Sequence, residues 1–231
     1  MRAAMPGEVL TDEPADGVVR LTISNPQKRN ALDHAILDGI AAATREHAGA
    51  RCLVLTGSHG MFSAGYDIGD IPAEVFADRA EKLVAHPFTA ALDALDGCDV
   101  PTVAALTGHT IGGGLELALV CDFRLAHDGI LLGRNVDAAT ALGWGLVNRV
   151  VPESQLEETS LDLAAELAAN APLSVRGNKR VLRELLRAEG ELDPDVEREL
   201  IALREECFHS EDMQEGVRAF AEKRPPRWRG R

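Results

Sequence analysis

Apolar and polar positions alternate from Val18 to Ile23 in "GVVRLTISNP", the two-residue period of a half-buried strand, and the run stops at Pro26. The period then changes. "ALDHAILDGIAAATREH" sets Leu32, Ile36, Leu37 and Ile40 on one helical stripe. "RCLVLTG" is continuously apolar and bounded by glycine, as expected of a strand covered on both faces. The opening third is therefore expected to run strand, strand, helix, strand. A loop, "SHGMFSAGYDIGDIP", follows, and then a helix from about Ala73 to Leu95.

The next stretch repeats this order. "VPTVAALTG" reads as a short buried strand with Pro101 at its start, where a missing N–H is tolerated. Gly112–Gly114 come next, then a helix over "LELALVCDF" and an apolar stretch, "FRLAHD". Strand, small-residue loop and helix thus occur twice. In a mainly parallel sheet both loops fall at the same end, where α/β proteins place their sites. Beyond Pro152 the pattern is helical throughout, in "QLEETSLDLAAELAANAP", "LSVRGNKRVLRELLRAEG", "DPDVERELIALREECF" and "SEDMQEGVRAFAEKRPPRW". Ser210 is the expected N-cap of the last helix, and Pro225–Pro226 end it. The expected organisation is an α/β core over 1–152 and a helical region over 153–231.

Composition narrows the function. A net charge of −13 argues against a nucleic-acid partner, which needs a basic face. Cys52, Cys98, Cys121 and Cys207 show no metal-ligand spacing and read as structural thiols, so no metal site is expected. Unpaired thiols and the lack of an apolar leader in "MRAAMPGEVLTDEPADG" make the cytoplasm the expected location, with no membrane partner.

The candidate chemistry lies in the two loops. Glycine at a helix mouth costs roughly 0.5–1 kcal/mol per residue relative to alanine, so Gly112–Gly114 need a reason. "GHTIGGG" has neither the dinucleotide G-x-G-x-x-G spacing nor the Lys-Ser/Thr of a phosphate loop. Close strand–helix packing explains the run as well as a ligand site does. "MFSAGYDI" changes that balance, because a second small-residue turn follows a second buried strand. Two main-chain N–H groups from neighbouring loops can converge on one oxygen and stabilise a developing oxyanion. Glu116 sits one turn behind Gly113 among Leu115, Leu117, Ala118 and Leu119. It is expected to face a partly dry space suited to acid–base work, although a first-turn glutamate also serves the helix dipole. His59 and His109 lie in the same loops without an evident serine or carboxylate partner and read as solvated or backbone-bonded. No serine stands in a G-x-S-x-G elbow, which disfavours nucleophilic catalysis.

"SNPQKRNAL", "GMFSAGYDI", "PTVAALTGHTIGGGLELALVCDFRLA", "DAATALGWGLVNRVV", "LAANAPLSVRGNKRVLRE" and "SEDMQEGVRAFAEKRPP" together resemble the enoyl-CoA hydratase/isomerase (crotonase) family, in order and over nearly the whole chain. The resemblance implies a spiral of ββα units with a C-terminal α-helical region, assembled as a homotrimer or hexamer. It implies an acyl-CoA thioester substrate and no separate cofactor, coenzyme A being part of the substrate. The thioester oxygen would lie between the N–H groups of Tyr66 and Gly113. Glu116 matches the first of the two glutamates with which hydratases handle water and its protons. Ala64, Asp67 and Ile68 match the loop whose backbone meets adenine. Lys28 and Arg29 lie where the first turn approaches the CoA phosphates, and Lys223 matches a position that can reach CoA in a neighbouring subunit.

One departure stands out. The family has a few dozen residues between "DFRLA" and "GLVN", carrying the second glutamate, whereas here "AHDGI" runs almost directly into "LLGRNVDAATALG". Either the chain has lost that wall of the acyl pocket, or a segment is missing from the sequence; the intact flanks favour the second. Enoyl-CoA hydration is the reaction expected. Enoyl-CoA isomerisation and decarboxylation of the methylmalonyl-CoA type, to which "FSAGYDI" and "AFAEKRPPRW" look similar, are the alternatives. A non-catalytic acyl-CoA-binding oligomer is the alternative of another class.

Overall fold

The computed structural model describes residues 6–67, 87–127, 130–131, 136–188 and 193–231. A six-stranded sheet has the order β1 (Glu8–Ala15), β2 (Val18–Ser24), β3 (Cys52–Gly57), β4 (Thr102–Leu106), β5 (Phe123–Ala126), β8 (Arg149–Val150). β1 pairs antiparallel with β2, and every later pair is parallel. Strand alternation sorts side chains onto two faces. Leu21, Ile23, Leu55, Ala104 and Leu106 meet Ile36, Leu37 and Ile40 of α1 (His34–Glu46) on one face. Val18, Cys52, Val54, Val103 and Ala105 meet Leu156, Ala164 and Ala168 of α5 (Glu153–Ala168) on the other. Secondary structure thus changes character at Pro152, and packing crosses that point.

Residues 87–96 form the helix α2; residues 73–86 of the helix expected from about Ala73 to Leu95 lie outside the described residues. α3 is Gly113–Leu119, so it takes in two of the glycines and stops four residues short of the expected end at Phe123. The reason is local. Asp122 accepts from the N–H and hydroxyl of Thr102 at 2.7 and 2.9 Å, which pulls the chain into β5. The Arg124 guanidinium then reaches back to the Cys121 carbonyl at the helix end.

From β5 the chain passes to a short hairpin, β6 (Ile130–Leu131) with β7 (Val136–Asp137), and to α4 (Ala138–Gly143). The tail continues as α6 (Pro172–Arg187), α7 (Pro194–His209) and α8 (Glu211–Glu222). Ser210 caps α8 as expected, its hydroxyl accepting from the Met213 N–H at 3.0 Å. Among the described residues no helix is long and apolar enough to cross a membrane.

Candidate active site

Parallel strands end on one side, so the segments after β2, β3 and β4 gather at one edge of the sheet. After β2 the chain makes a 3-10 turn, Pro26–Lys28, and then two consecutive left-handed residues, Arg29 (φ 55°) and Asn30 (φ 54°). That conformation is costly for residues other than glycine, least so for asparagine. The Asn30 side chain holds it. Its amide donates to the Ser58 and Met61 carbonyls at 2.9 and 2.6 Å, and its oxygen accepts from the Asn25 N–H at 2.8 Å. Asn30 is buried, so Asn30→Ala leaves three polar backbone groups without their partner and keeps the strained φ. It is expected to destabilise the fold by roughly 2–4 kcal/mol. Urea unfolding reads this directly, and a midpoint equal to that of the parent contradicts it.

The three segments are bonded to one another. Ala64 N–H donates to the Arg29 carbonyl (3.1 Å), Leu32 N–H to Gly65 (2.8 Å) and Asp67 N–H to Leu32 (2.9 Å). On the other side Ser63 N–H donates to His109 (3.2 Å) and Ile111 N–H to Ser63 (3.0 Å). The buried Ser63 hydroxyl links both ends, donating to the Asn30 carbonyl at 2.8 Å and accepting from Gly65 N–H at 3.1 Å. His127 adds support from the end of β5, its Nε2 accepting from Gly108 N–H at 2.6 Å. Asn30, Ser63 and His127 were not legible as site-building residues. Only the buried-polar character of a side chain in a turn could have flagged them, and that requires the fold.

Gly65 has φ 89°, and a Cβ on it would lie 2.9 Å from the Ile111 carbonyl and 3.5 Å from Gly113 N. A Cβ on Gly113 would meet the Tyr66 ring at 2.9 Å, and one on Gly114 would meet Ser63 Cβ at 2.7 Å. The glycine run therefore serves close packing at Gly114 and close loop approach at Gly113. Among the described residues neither Tyr66 N–H nor Gly113 N–H has a hydrogen-bond acceptor. Gly113 is the first residue of α3, where N–H groups lack helical partners.

Glu116 stands on the same helix with Oε2 3.4 Å from the Tyr66 hydroxyl. It is exposed, which corrects the partly dry setting expected for it. Its apolar neighbours Leu115, Leu117 and Ala118 turn into the core, and a seven-residue helix leaves the carboxylate on the opposite side. The Tyr66 phenol is pushed up to about 12, first by burial and then by the Glu116 charge. The thiols of Cys52 and Cys121 are likewise pushed up to about 12, chiefly by burial, so they stay protonated and unreactive. His109 is half-buried: its Nδ1 is covered and has no hydrogen-bond partner among the described residues, and its backbone carbonyl accepts from Ser63 N–H.

Lys28 forms an ion pair with Asp67 at 2.6 Å, joining the first turn to the second loop. Arg29 is exposed beside them. Ala64 lies in the same bonded segment, its N–H occupied by the Arg29 carbonyl. Ile68 lies outside the described residues. Lys223 follows α8 with φ 52°, and among the described residues no hydrogen bond or ion pair joins it to the loops. Among the described residues no three His, Cys, Asp or Glu gather as a metal site would need.

Residues 13–129 and 123–231 match the family model described as enoyl-CoA hydratase/isomerase, and the chain belongs to that family. Carnitinyl-CoA dehydratase of Salmonella typhi is 29% identical over 262 residues, covering 93% of this chain and 95% of the relative. The enoyl-CoA hydratase structure from Mycobacterium tuberculosis H37Rv superimposes with a TM-score of 0.80 at 29% identity, over 97% of this chain and 99% of that one. An enoyl-CoA hydratase/carnithine racemase from Magnetospirillum magneticum gives 0.82 at 26% identity, over 96% of each. The crotonase fold is thereby established. The family model matches in two pieces that meet at 123–129, and the alignment of 262 residues is longer than the 231-residue chain. Both findings agree with a shortened connection after β5.

Proposed function

We propose that this protein is an acyl-CoA lyase of the hydratase type. The observation that carries the reading is the pair of N–H groups at Tyr66 and Gly113, without an acceptor among the described residues, on two loops packed against each other. In this reading both donate to the thioester carbonyl oxygen. Water adds to the β-carbon of the enoyl group, the electron pair moves onto that oxygen as an enolate, and a proton then reaches the α-carbon. The two donors are worth most at the enolate, where negative charge has developed. Glu116 handles the proton of the attacking water. Lys28 and Arg29 meet the CoA phosphates, the loop of Ala64, Asp67 and Ile68 meets adenine, and Lys223 reaches CoA held by a neighbouring subunit. No cofactor beyond the CoA of the substrate is needed. The chemistry of this site asks for neither a metal nor a redox group.

Crotonyl-CoA and a malonyl-type thioester, assayed side by side on the purified protein, test this. Hydration of the first is expected. Decarboxylation of the second alone would favour the decarboxylase reading, and binding without turnover of either would favour an acyl-CoA-binding protein. An intact mass settles the pocket wall: 24.8 kDa means that the short connection after β5 is the protein's own, and a larger mass means that a further segment exists.

We further infer a trimer or hexamer. α6 buries none of its residues, and Leu186 is 87% exposed. With Leu119 and Leu182 it lines a largely apolar groove of about 610 Å³ at the starts of β4 and β5, the opposite end of the sheet from the loops. A patch of that kind on a single chain calls for a partner surface. Light scattering at micromolar concentration is expected to give three or six chains, and a monomer contradicts the inference.

A further inference from the structure

Tyr66 supplies this site with a side chain as well as a backbone N–H. Its ring is held on two sides. One face lies against Gly113, where a Cβ would meet Cε1 and Cζ at 2.9 Å, and Phe88 of α2 packs edge-on with centroids 4.7 Å apart at 77°. A ring fixed in this way carries its hydroxyl to one place. That place is 3.4 Å from Glu116 Oε2, at the long end of hydrogen bonding, a contact of the kind that tightens when substrate binds.

The carboxylate on the other side of the contact is loosely kept. Glu116 is exposed, and among the described residues the Tyr66 hydroxyl is its sole side-chain partner. A glutamate side chain that must adopt one rotamer for chemistry loses conformational freedom. A donor on a fixed ring reduces that loss at the moment of reaction by holding the rotamer beforehand. With its phenol pushed up to about 12, Tyr66 remains a neutral O–H donor across the working pH range.

Resting on the reading of Glu116 as the acid–base group, we propose that the Tyr66 hydroxyl is the positioning residue for the Glu116 carboxylate. One residue thereby ties the oxyanion contact, made by its N–H, to the group that handles the proton, gripped by its side chain. The distance between the two functions is set by the ring lying on Gly113.

Tyr66→Phe tests this, because it keeps the N–H, the ring and the Phe88 contact and deletes one oxygen. A hydrogen bond to a charged group is worth enough to lower kcat for hydration roughly tenfold. KM is expected to stay within about twofold, since the backbone donors and CoA contacts are untouched. In a Glu116→Gln background the same substitution is expected to add nothing, the non-additivity of two groups that act together. A second readout needs no activity. The chain has a single tyrosine, so ¹³Cζ-tyrosine labelling gives one resonance, and Glu116→Gln is expected to shift it. Wild-type kcat in Tyr66→Phe alongside a dead Glu116→Gln overturns the proposal and leaves the function standing. Wild-type activity in both overturns the role of Glu116 itself. Losses that simply multiply, or a resonance that ignores Glu116→Gln, also overturn the proposal.

Discussion

Glu116→Gln is expected to lower crotonyl-CoA hydration by roughly 10²–10⁴-fold, the usual contribution of a positioned acid–base group. Glutamine keeps the shape of the side chain and can still meet the Tyr66 hydroxyl, 3.4 Å away in the parent, so the loop packing is retained. What disappears is the ability to take and return a proton. Affinity for a saturated acyl-CoA is expected to change little, because the N–H groups of Tyr66 and Gly113 belong to the backbone. A kcat that falls while KM holds identifies an interaction made in the transition state. If the protein instead decarboxylates malonyl-type thioesters, the departing CO₂ leaves the enolate without a proton being removed, and the same substitution has a much smaller effect. Unchanged hydration in Glu116→Gln removes the carboxylate from the mechanism.

Gly113→Pro is expected to lower kcat by roughly 10²–10³-fold, the cost of deleting one oxyanion donor. The position suits the test. Gly113 is the first residue of α3, and proline is tolerated there because the missing N–H has no helical partner. The new ring atoms do press on Tyr66, since a Cβ at this site lies 2.9 Å from the tyrosine ring. Gly113→Ala supplies the control, carrying the same Cβ while keeping the N–H. The gap between the proline and alanine variants, both checked for native thermal unfolding, isolates the donor. Equal activity in the two contradicts the oxyanion assignment.

Much of this fold was legible because its strands are covered on both faces or alternate cleanly. "RCLVLTG" and "VPTVAALTG" became β3 and β4, and the two small-residue loops fell side by side because the strands are parallel. The glycine run also signalled a close approach, which Gly113 makes to the Tyr66 ring. The end of α3 is not visible in the sequence because Leu117–Cys121 is apolar throughout and carries no stop signal. The break depends on Asp122 bonding Thr102, a contact between residues far apart in sequence. The exposure of Glu116 is hidden in the sequence for a related reason: its apolar neighbours Leu115, Leu117 and Ala118 point away from it once the helix forms. The hydrogen bonds of Asn30 and Ser63 were beyond sequence reasoning, since a turn asparagine looks the same whether it faces water or holds three backbone groups.

The central claim is that a thioester oxygen accepts from the N–H of Tyr66. With one tyrosine in the chain, ¹⁵N-tyrosine labelling gives a single backbone amide signal, that of Tyr66 itself. Butyryl-CoA, which has the thioester carbonyl but no double bond to hydrate, is expected to move that amide proton downfield, while coenzyme A alone, bound at the same subsites without a thioester carbonyl, leaves it near its free position. An amide that stays unmoved with butyryl-CoA saturating, or moves equally with coenzyme A, would contradict the account.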